Sequence, residues 1–374
     1  MLSTHFDLAP VWELKSQAWN PHQIGRQMIA FDADVLISEP LPTLVVLSTC
    51  ETGEEHTLRE IRQAFYQLFF PENRTTLADL GHYCGDPDAL PETLATLRDW
   101  GCIPLVLSPS QSLSYSMYLS YCLRERTINF ISVDDRPDLY EFHGLAGEDN
   151  WLTQVISHTP NYLFSLGLVG YQNYISQPEH LKVLEDFHFD MIRLGQMREK
   201  MIRVEPYFRS ADFVSFDVSA LRMSDFPSSL RPGPNGLYAE EACHLCRFAG
   251  LSNTFSGFIL SGWNPAQLDS QSAQLVAQML WHVIDGFVHR VADGVIGNEQ
   301  DYLVYKVSSE EPAHDLEFYK NRKNGRWWMK VAAPPRKDSV KLRYHIVPCS
   351  YDDYEQAVRG ELPDTWWNTY QKMG

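Results

Sequence analysis

Ala211-Asp-Phe-Val-Ser-Phe-Asp-Val-Ser-Ala-Leu-Arg-Met-Ser-Asp225 is the stretch on which the fold turns. Its first half has the composition of a buried strand, because Phe213, Val214 and Phe216 are bulky and β-prone. An acid, Asp217, arrives where the apolar run stops. In a parallel α/β sheet, ligands and metals sit at the C-terminal ends of strands. Taken alone, Asp217 is a solvated or capping aspartate. A second stretch changes its weight. Ile128-Asn-Phe-Ile-Ser-Val133 is also an apolar run that ends in acids: Asp134, Asp135 and, after Arg136-Pro137, Asp138. Two buried strands that deliver carboxylates to one edge converge on one hard cation or one positive side chain.

Ser215-Phe-Asp-Val-Ser219 resembles the S-x-D-x-D metal motif of the ureohydrolases, the arginase and formimidoylglutamase family. Val133-Asp-Asp-Arg-Pro-Asp138 resembles the D-A-H-x-D motif of the same family. Ser108-Pro-Ser-Gln-Ser-Leu113 is similar to its G-G-x-H-S segment, and Ser261-Gly-Trp-Asn-Pro265 to its E-x-N-P segment. Glu60-Ile-Arg62 and Gly170-Tyr-Gln-Asn-Tyr174 add weaker likenesses. The resemblance spans roughly residues 42–295 and keeps the order of the motif strands. It implies a three-layer α/β/α arginase-like fold with a mostly parallel sheet. It also implies two manganese ions that activate water for attack on a guanidinium or formimino carbon.

Carried over position by position, the resemblance retains three metal-ligand positions: Asp134, Asp138 and Asp217. Three are altered, with Gln111 and Arg136 where the family has histidines and Ser219 where it has an aspartate. Gly262 stands where the family carries a substrate-contacting glutamate. An amide is a poor Mn²⁺ ligand beside an imidazole. A guanidinium is always charged and binds no metal. Set among Asp134, Asp138 and Asp217, Arg136 would supply the positive charge that buried carboxylates require. The alternative is that Arg136 points to solvent and Asp135 joins a single weak Mg²⁺ or Mn²⁺ site.

The rest of the chain bounds the function. A length of 374 residues, 44% apolar, suffices for a large α/β domain with an appendage. The net charge of −17 opposes binding to nucleic acid or acidic membranes. No basic-then-apolar leader is visible, and runs such as Leu44-Val-Val-Leu47 are too short to span a bilayer. Seven scattered cysteines suit a reducing cytoplasm. Cys243-His-Leu-Cys246 is a lone C-x-x-C on a helical pattern, which reads as buried thiols rather than a zinc site.

Strand patterns alternate with helical ones up to about residue 300, which calls for a parallel sheet covered on both faces. Beyond it the character changes. Residues 301–374 hold 12 basic and 11 acidic residues, a net of +1, so residues 1–300 carry −18. Tyr302–Val307 and Leu342–Val347 read as strands, and Arg326-Trp-Trp-Met-Lys330 and Trp366-Trp367 add aromatic mass. This division gives an arginase-like body, 1–300, and a C-terminal extension, 301–374, packed on the body or at an interface with another copy or a protein partner. His143, His158, His282 and His289 are the candidate general bases, but no spacing singles one out, so the catalytic residues are unknown.

Three functions fit these residues. One is a ureohydrolase-fold protein that has lost its dimetal site and serves binding or assembly, with no cofactor. Another is a metal-dependent amidinohydrolase, formimidoylglutamase-like, that uses manganese in an unorthodox one-metal site to hydrolyse a formimino or guanidino C–N bond. The third is a protein that keeps a small-molecule pocket without turnover, its ligand unknown.

Overall fold

The computed structural model describes residues 5–30, 41–49, 55–70, 75–140, 149–294, 296, 298, 300–308, 316–333 and 344–373. Most of the Ser48–Glu55 loop, and His143, lie outside them. Ten strands form the main sheet: β1 (Phe6–Asp7), β2 (Ile29–Ala30), β3 (Leu44–Ser48), β4 (Leu77–Tyr83), β5 (Ile103–Leu107), β6 (Ile128–Val133), β7 (Leu163–Tyr171), β8 (Asp190–Arg193), β9 (Phe213–Asp217) and β10 (Gly257–Ser261). Their order is β1-β4-β3-β5-β10-β9-β6-β7-β8, with β2 beside β4. Every pairing is parallel except that of β1 with β4.

The strands are apolar at nearly every position because both faces of the sheet are covered, and alternate side chains enter different cores. Val46, Leu105, Val133, Phe216 and Leu260 pack in one core. The helices Glu55–Gln67, Ala239–Gly250 and Ser270–Val288 bring Ile61, Leu245 and Leu280 to it. Val45, Val106, Phe130, Phe213 and Ile259 pack in the other. There Leu90–Asp99, Leu113–Cys122 and Trp151–Ser157 contribute Leu94, Tyr118 and Trp151. The result is the three-layer α/β/α architecture.

The strand order locates the site. From β5 the chain crosses two strand positions to reach β6, and β10 and β9 later fill the gap. The helices after β5 and β6 pack on one face of the sheet and those after β9 and β10 on the other, so the connecting loops part at the C-terminal ends of these four strands. This is the topological switch point at which open α/β sheets present ligands. Ser261↔Asp217 and Val133↔Phe216 are in register, so Asp134, Asp217 and Gly262 come to one edge.

A second, antiparallel sheet follows, in the order β11 (Tyr302–Val307), β12 (Leu316–Asn321), β13 (Trp327–Ala332), β14 (Tyr344–Cys349). Two helices, Tyr351–Val358 and Asp364–Lys372, complete it. It meets the body through charged contacts. Arg209 donates to the Trp327 carbonyl at 2.5 Å, Arg326 pairs with Asp293 at 3.2 Å and Glu205 at 3.3 Å, and Lys372 pairs with Asp190 at 3.2 Å.

Candidate functional site

Asp217 is the last residue of β9, and its side chain caps the short turn that follows by accepting from Ser219 N at 2.6 Å. Asp134 comes directly after β6, with its amide bonded to Val169 O of β7. Its carboxylate accepts from Asp135 N at 2.7 Å, from Gln111 Nε2 at 2.8 Å and from Ser219 Oγ at 3.2 Å. Asp138 accepts from Trp151 Nε1 at 3.0 Å. The loops after β5, β6 and β9 thus bring Gln111, Asp134, Asp138, Asp217 and Ser219 together, all of them buried.

The cation in their midst is Arg231. Its Nη2 lies 3.3 Å from Asp134, 3.2 Å from Ser219 Oγ and 3.7 Å from Asp217. Its Nη1 lies 3.1 Å from Asp138 and 3.0 Å from Asp149. The sequence places Arg136 in this role, and the structure corrects that. Arg136 leaves the strand end toward the rim, where Nε meets Asp135 at 3.0 Å and Nη2 at 3.3 Å, with a quarter of the side chain exposed. Sequence reasoning misses Arg231 because it sits in a turn-rich loop, 97 residues from Asp134, beside Pro232-Gly-Pro-Asn-Gly236. The one signal is a lone arginine in an otherwise small and turn-forming segment.

Burial first, and the excess of negative charge second, raise the carboxyl pKa values in the cluster. Among the described residues, five carboxylates lie within 4.0 Å of Arg231. With Arg136 as the second cation, full ionisation would leave three negative charges in excess. Burial, followed by the neighbouring Asp217 charge, pushes the Asp134 carboxyl up. Burial, followed by Asp134, pushes Asp138 well up and Asp135 up to about 6. Burial acts against the Arg231 charge, but Asp134, Asp217, Asp138 and Asp135 more than offset it, so the guanidinium is held firmly ionised.

Gly262 has a specific reason to be glycine. Its φ is +96°, and an added Cβ would lie 2.2 Å from Asp217 Oδ1. A glutamate at this position would be strained by the backbone conformation and would require Asp217 to move. The candidate bases among the described residues lie elsewhere. His158 bonds Tyr115 Oη at 3.2 Å, His282 packs against Trp281, and His289 pairs with Asp285 at 3.1 Å. Cys243 and Cys246 are buried free thiols.

A dimanganese centre is the group this arrangement would have to accept, and the residues do not fit it. Gln111 turns its amide nitrogen, a donor, toward Asp134, and a guanidinium stands between the carboxylates. Two divalent ions there would meet direct like-charge repulsion. Among the described residues, no group of three or more His, Cys, Asp and Glu side chains is disposed to hold a metal ion.

Solved structures share this architecture. The fold is that of the ureohydrolases. Formimidoylglutamase from Bacillus subtilis is similar with a TM-score of 0.64 at 16% identity, over 74% of this chain and 96% of that one. Trypanosoma cruzi formiminoglutamase with Mn²⁺ is similar with a TM-score of 0.60 at 20% identity, over 67% and 95%. The agmatine ureohydrolase of Thermoplasma volcanium gives 0.57 at 16%, over 74% and 97%. No family model matches the chain, and no curated protein matches it by sequence. Among the described residues, no helix is long and apolar enough to cross a membrane.

Proposed function

We propose that this chain is a divergent ureohydrolase in which an internal ion cluster has replaced the two-metal centre, and that it works by binding or assembly rather than by C–N hydrolysis. The observation that carries this is the Arg231 guanidinium, 3.1 Å from Asp138 and 3.3 Å from Asp134, two of the three retained ligand positions. Gly262 supports it, because a substrate-holding side chain there would be strained by the backbone and would have to displace Asp217. On this reading residues 1–300 are the former catalytic body. Residues 301–374 are the assembly element, presenting the exposed Tyr344, Tyr351 and Trp367 to a second copy or a protein partner. The described cysteines are free thiols, which supports a reducing, cytoplasmic setting.

The competing activity is that of a manganese-dependent amidinohydrolase. It is favoured by the convergence of Asp134, Asp138 and Asp217 alone, and it requires Arg231 to vacate the site. The deciding measurement is elemental analysis of protein prepared with excess Mn²⁺, paired with assays on formiminoglutamate, agmatine and arginine. The expected result is no stoichiometric manganese and no release of formamide or urea. Two manganese ions per chain together with turnover would overturn the proposal.

A further inference from the structure

The loop that carries Arg231 is fastened on both sides of it. Leu230 N donates to Gly262 O at 2.8 Å, and Arg231 N donates to Ser229 Oγ at 3.1 Å. Ser229 forms a bridge with Trp263, and Met223 N donates to Gly233 O at 2.7 Å. Upstream, Ser228 Oγ lies 2.8 Å from Gln267 O and 2.5 Å from Asp269. The guanidinium is thus delivered by anchored backbone rather than by a freely sampling side chain. Its acceptors come from three separate segments: the turn after β9, the loop after β6, and Asp149 just before the Trp151–Ser157 helix.

We propose that Arg231 is the chain's own tethered counter-ion. Its guanidinium fork clasps the end of β6, the end of β9 and the 149–151 segment, and its removal leaves a vacancy selective for a planar cation. One nitrogen bridges Asp138 and Asp149 while the other bridges Asp134 and Ser219, a span that a fork can make and a single ammonium cannot. Removing one partner of a buried ion cluster leaves uncompensated charge, which is far costlier than losing an exposed pair. The inference rests on the reading that no dimetal centre occupies the site.

The experiment uses the full chain in metal-free buffer. Arg231→Ala should lower the melting temperature by about 5–15 °C. Guanidinium chloride at a few millimolar, far below denaturing levels, should restore part of that loss by filling the vacancy. Urea at the same concentration has the same shape without the charge and should restore none, and the unmodified protein should respond to neither. Arg231→Lys should melt between the two, and it decides the matter if Arg231→Ala does not fold. The clasp is overturned if Arg231→Ala melts with the unmodified protein, if guanidinium and urea act alike, or if Arg231→Lys matches arginine. Manganese content measured on the unmodified protein separates the two failures. Bound manganese overturns the functional reading, whereas a metal-free protein indifferent to Arg231→Ala overturns only the clasp.

Discussion

Asp217 and Gly262 are one unit at the residue scale. The backbone of Gly262 runs through φ +96°, and a Cβ there would lie 2.2 Å from Oδ1 and 2.6 Å from Cγ of Asp217. Both facts penalise any side chain, the first by conformation and the second by overlap. Gly262→Ala should therefore cost at least about 2 kcal/mol. In an Asp217→Ala background the overlap disappears and only the conformational part remains, so the cost should fall by about half or more. Urea unfolding of the four proteins in the cycle tests this. A coupling energy of zero would mean that the carboxylate is not what crowds position 262. The same geometry constrains any attempt to rebuild a hydrolytic site. His at positions 111 and 136 and Asp at 219 would still face Arg231 and a position 262 where any side chain is strained. The departures at these positions are legible one by one in the sequence. The cation that the carboxylates share is not, since Arg231 belongs to no motif and meets its partners only through the fold.

At the scale of elements, the strands that frame the site are readable because each is a short apolar run closed by polar residues. Ile128–Val133 and Phe213–Asp217 are the clearest. Helix boundaries are less so. The stretch from Arg193 to Val204 reads as a single helix, but the structure breaks it into Leu194–Glu199 and a 3₁₀ turn, Met201–Arg203, before a further helix, Glu205–Arg209. Pro206 lies in the first turn of that last helix, where its missing N–H costs nothing and its ring disfavours helical continuity from before. The long helix Ser270–Val288 shows the opposite case, a start strongly set by its cap. Asp269 accepts from Gln271 N at 2.8 Å, Ser272 N at 3.0 Å, Ser272 Oγ at 2.7 Å and Ser228 Oγ at 2.5 Å. Burial works to raise its pKa, but these hydrogen bonds, led by Ser228, win and hold it below the ordinary 3.8. A depressed carboxyl contributes stability that is present above its unfolded pKa and lost as pH falls through the folded one. Asp269→Ala should cost about 1–2 kcal/mol at neutral pH, and the difference from the unmodified protein should shrink below about pH 4. Thermal melts at pH 7 and pH 3.5 check this, and a difference that grows toward acid would refute it. Because Ser228 also begins the loop leading to Arg231, the variant should loosen that loop as well.

For the whole molecule, the C-terminal sheet matters most through what it leaves behind if removed. Its strands are partly legible: β11 is a mostly apolar run, whereas Leu316-Glu-Phe-Tyr-Lys-Asn321, of the same length, is interrupted by Glu317 and Lys320 and does not stand out without its partners. The junction with the body is built from charged groups that are nearly or fully sequestered. The Arg209 side chain is 3% exposed and gives one N–H to the Trp327 carbonyl. Asp293 takes hydrogen bonds from Asn324 at 2.8 Å and from Arg326 at 3.2 Å. Lys372, 8% exposed, reaches Ser165 at 2.7 Å and Asp190 at 3.2 Å. Ending the chain at residue 300 would strip partners from Arg209, Asp293 and Asp190 at once and uncover Phe164, which packs on the His345 ring. Desolvated charges left without partners cost several kcal/mol each in unfavourable cases, and fresh apolar surface promotes association. The truncated protein should therefore melt lower and elute as larger, heterogeneous species in size-exclusion chromatography. If it stays soluble, with the same melting temperature and the size of a single folded chain, then residues 301–374 are an independent tail. The charged junction would in that case contribute nothing to the stability of the body, and an assembly role for the extension would lose its structural footing.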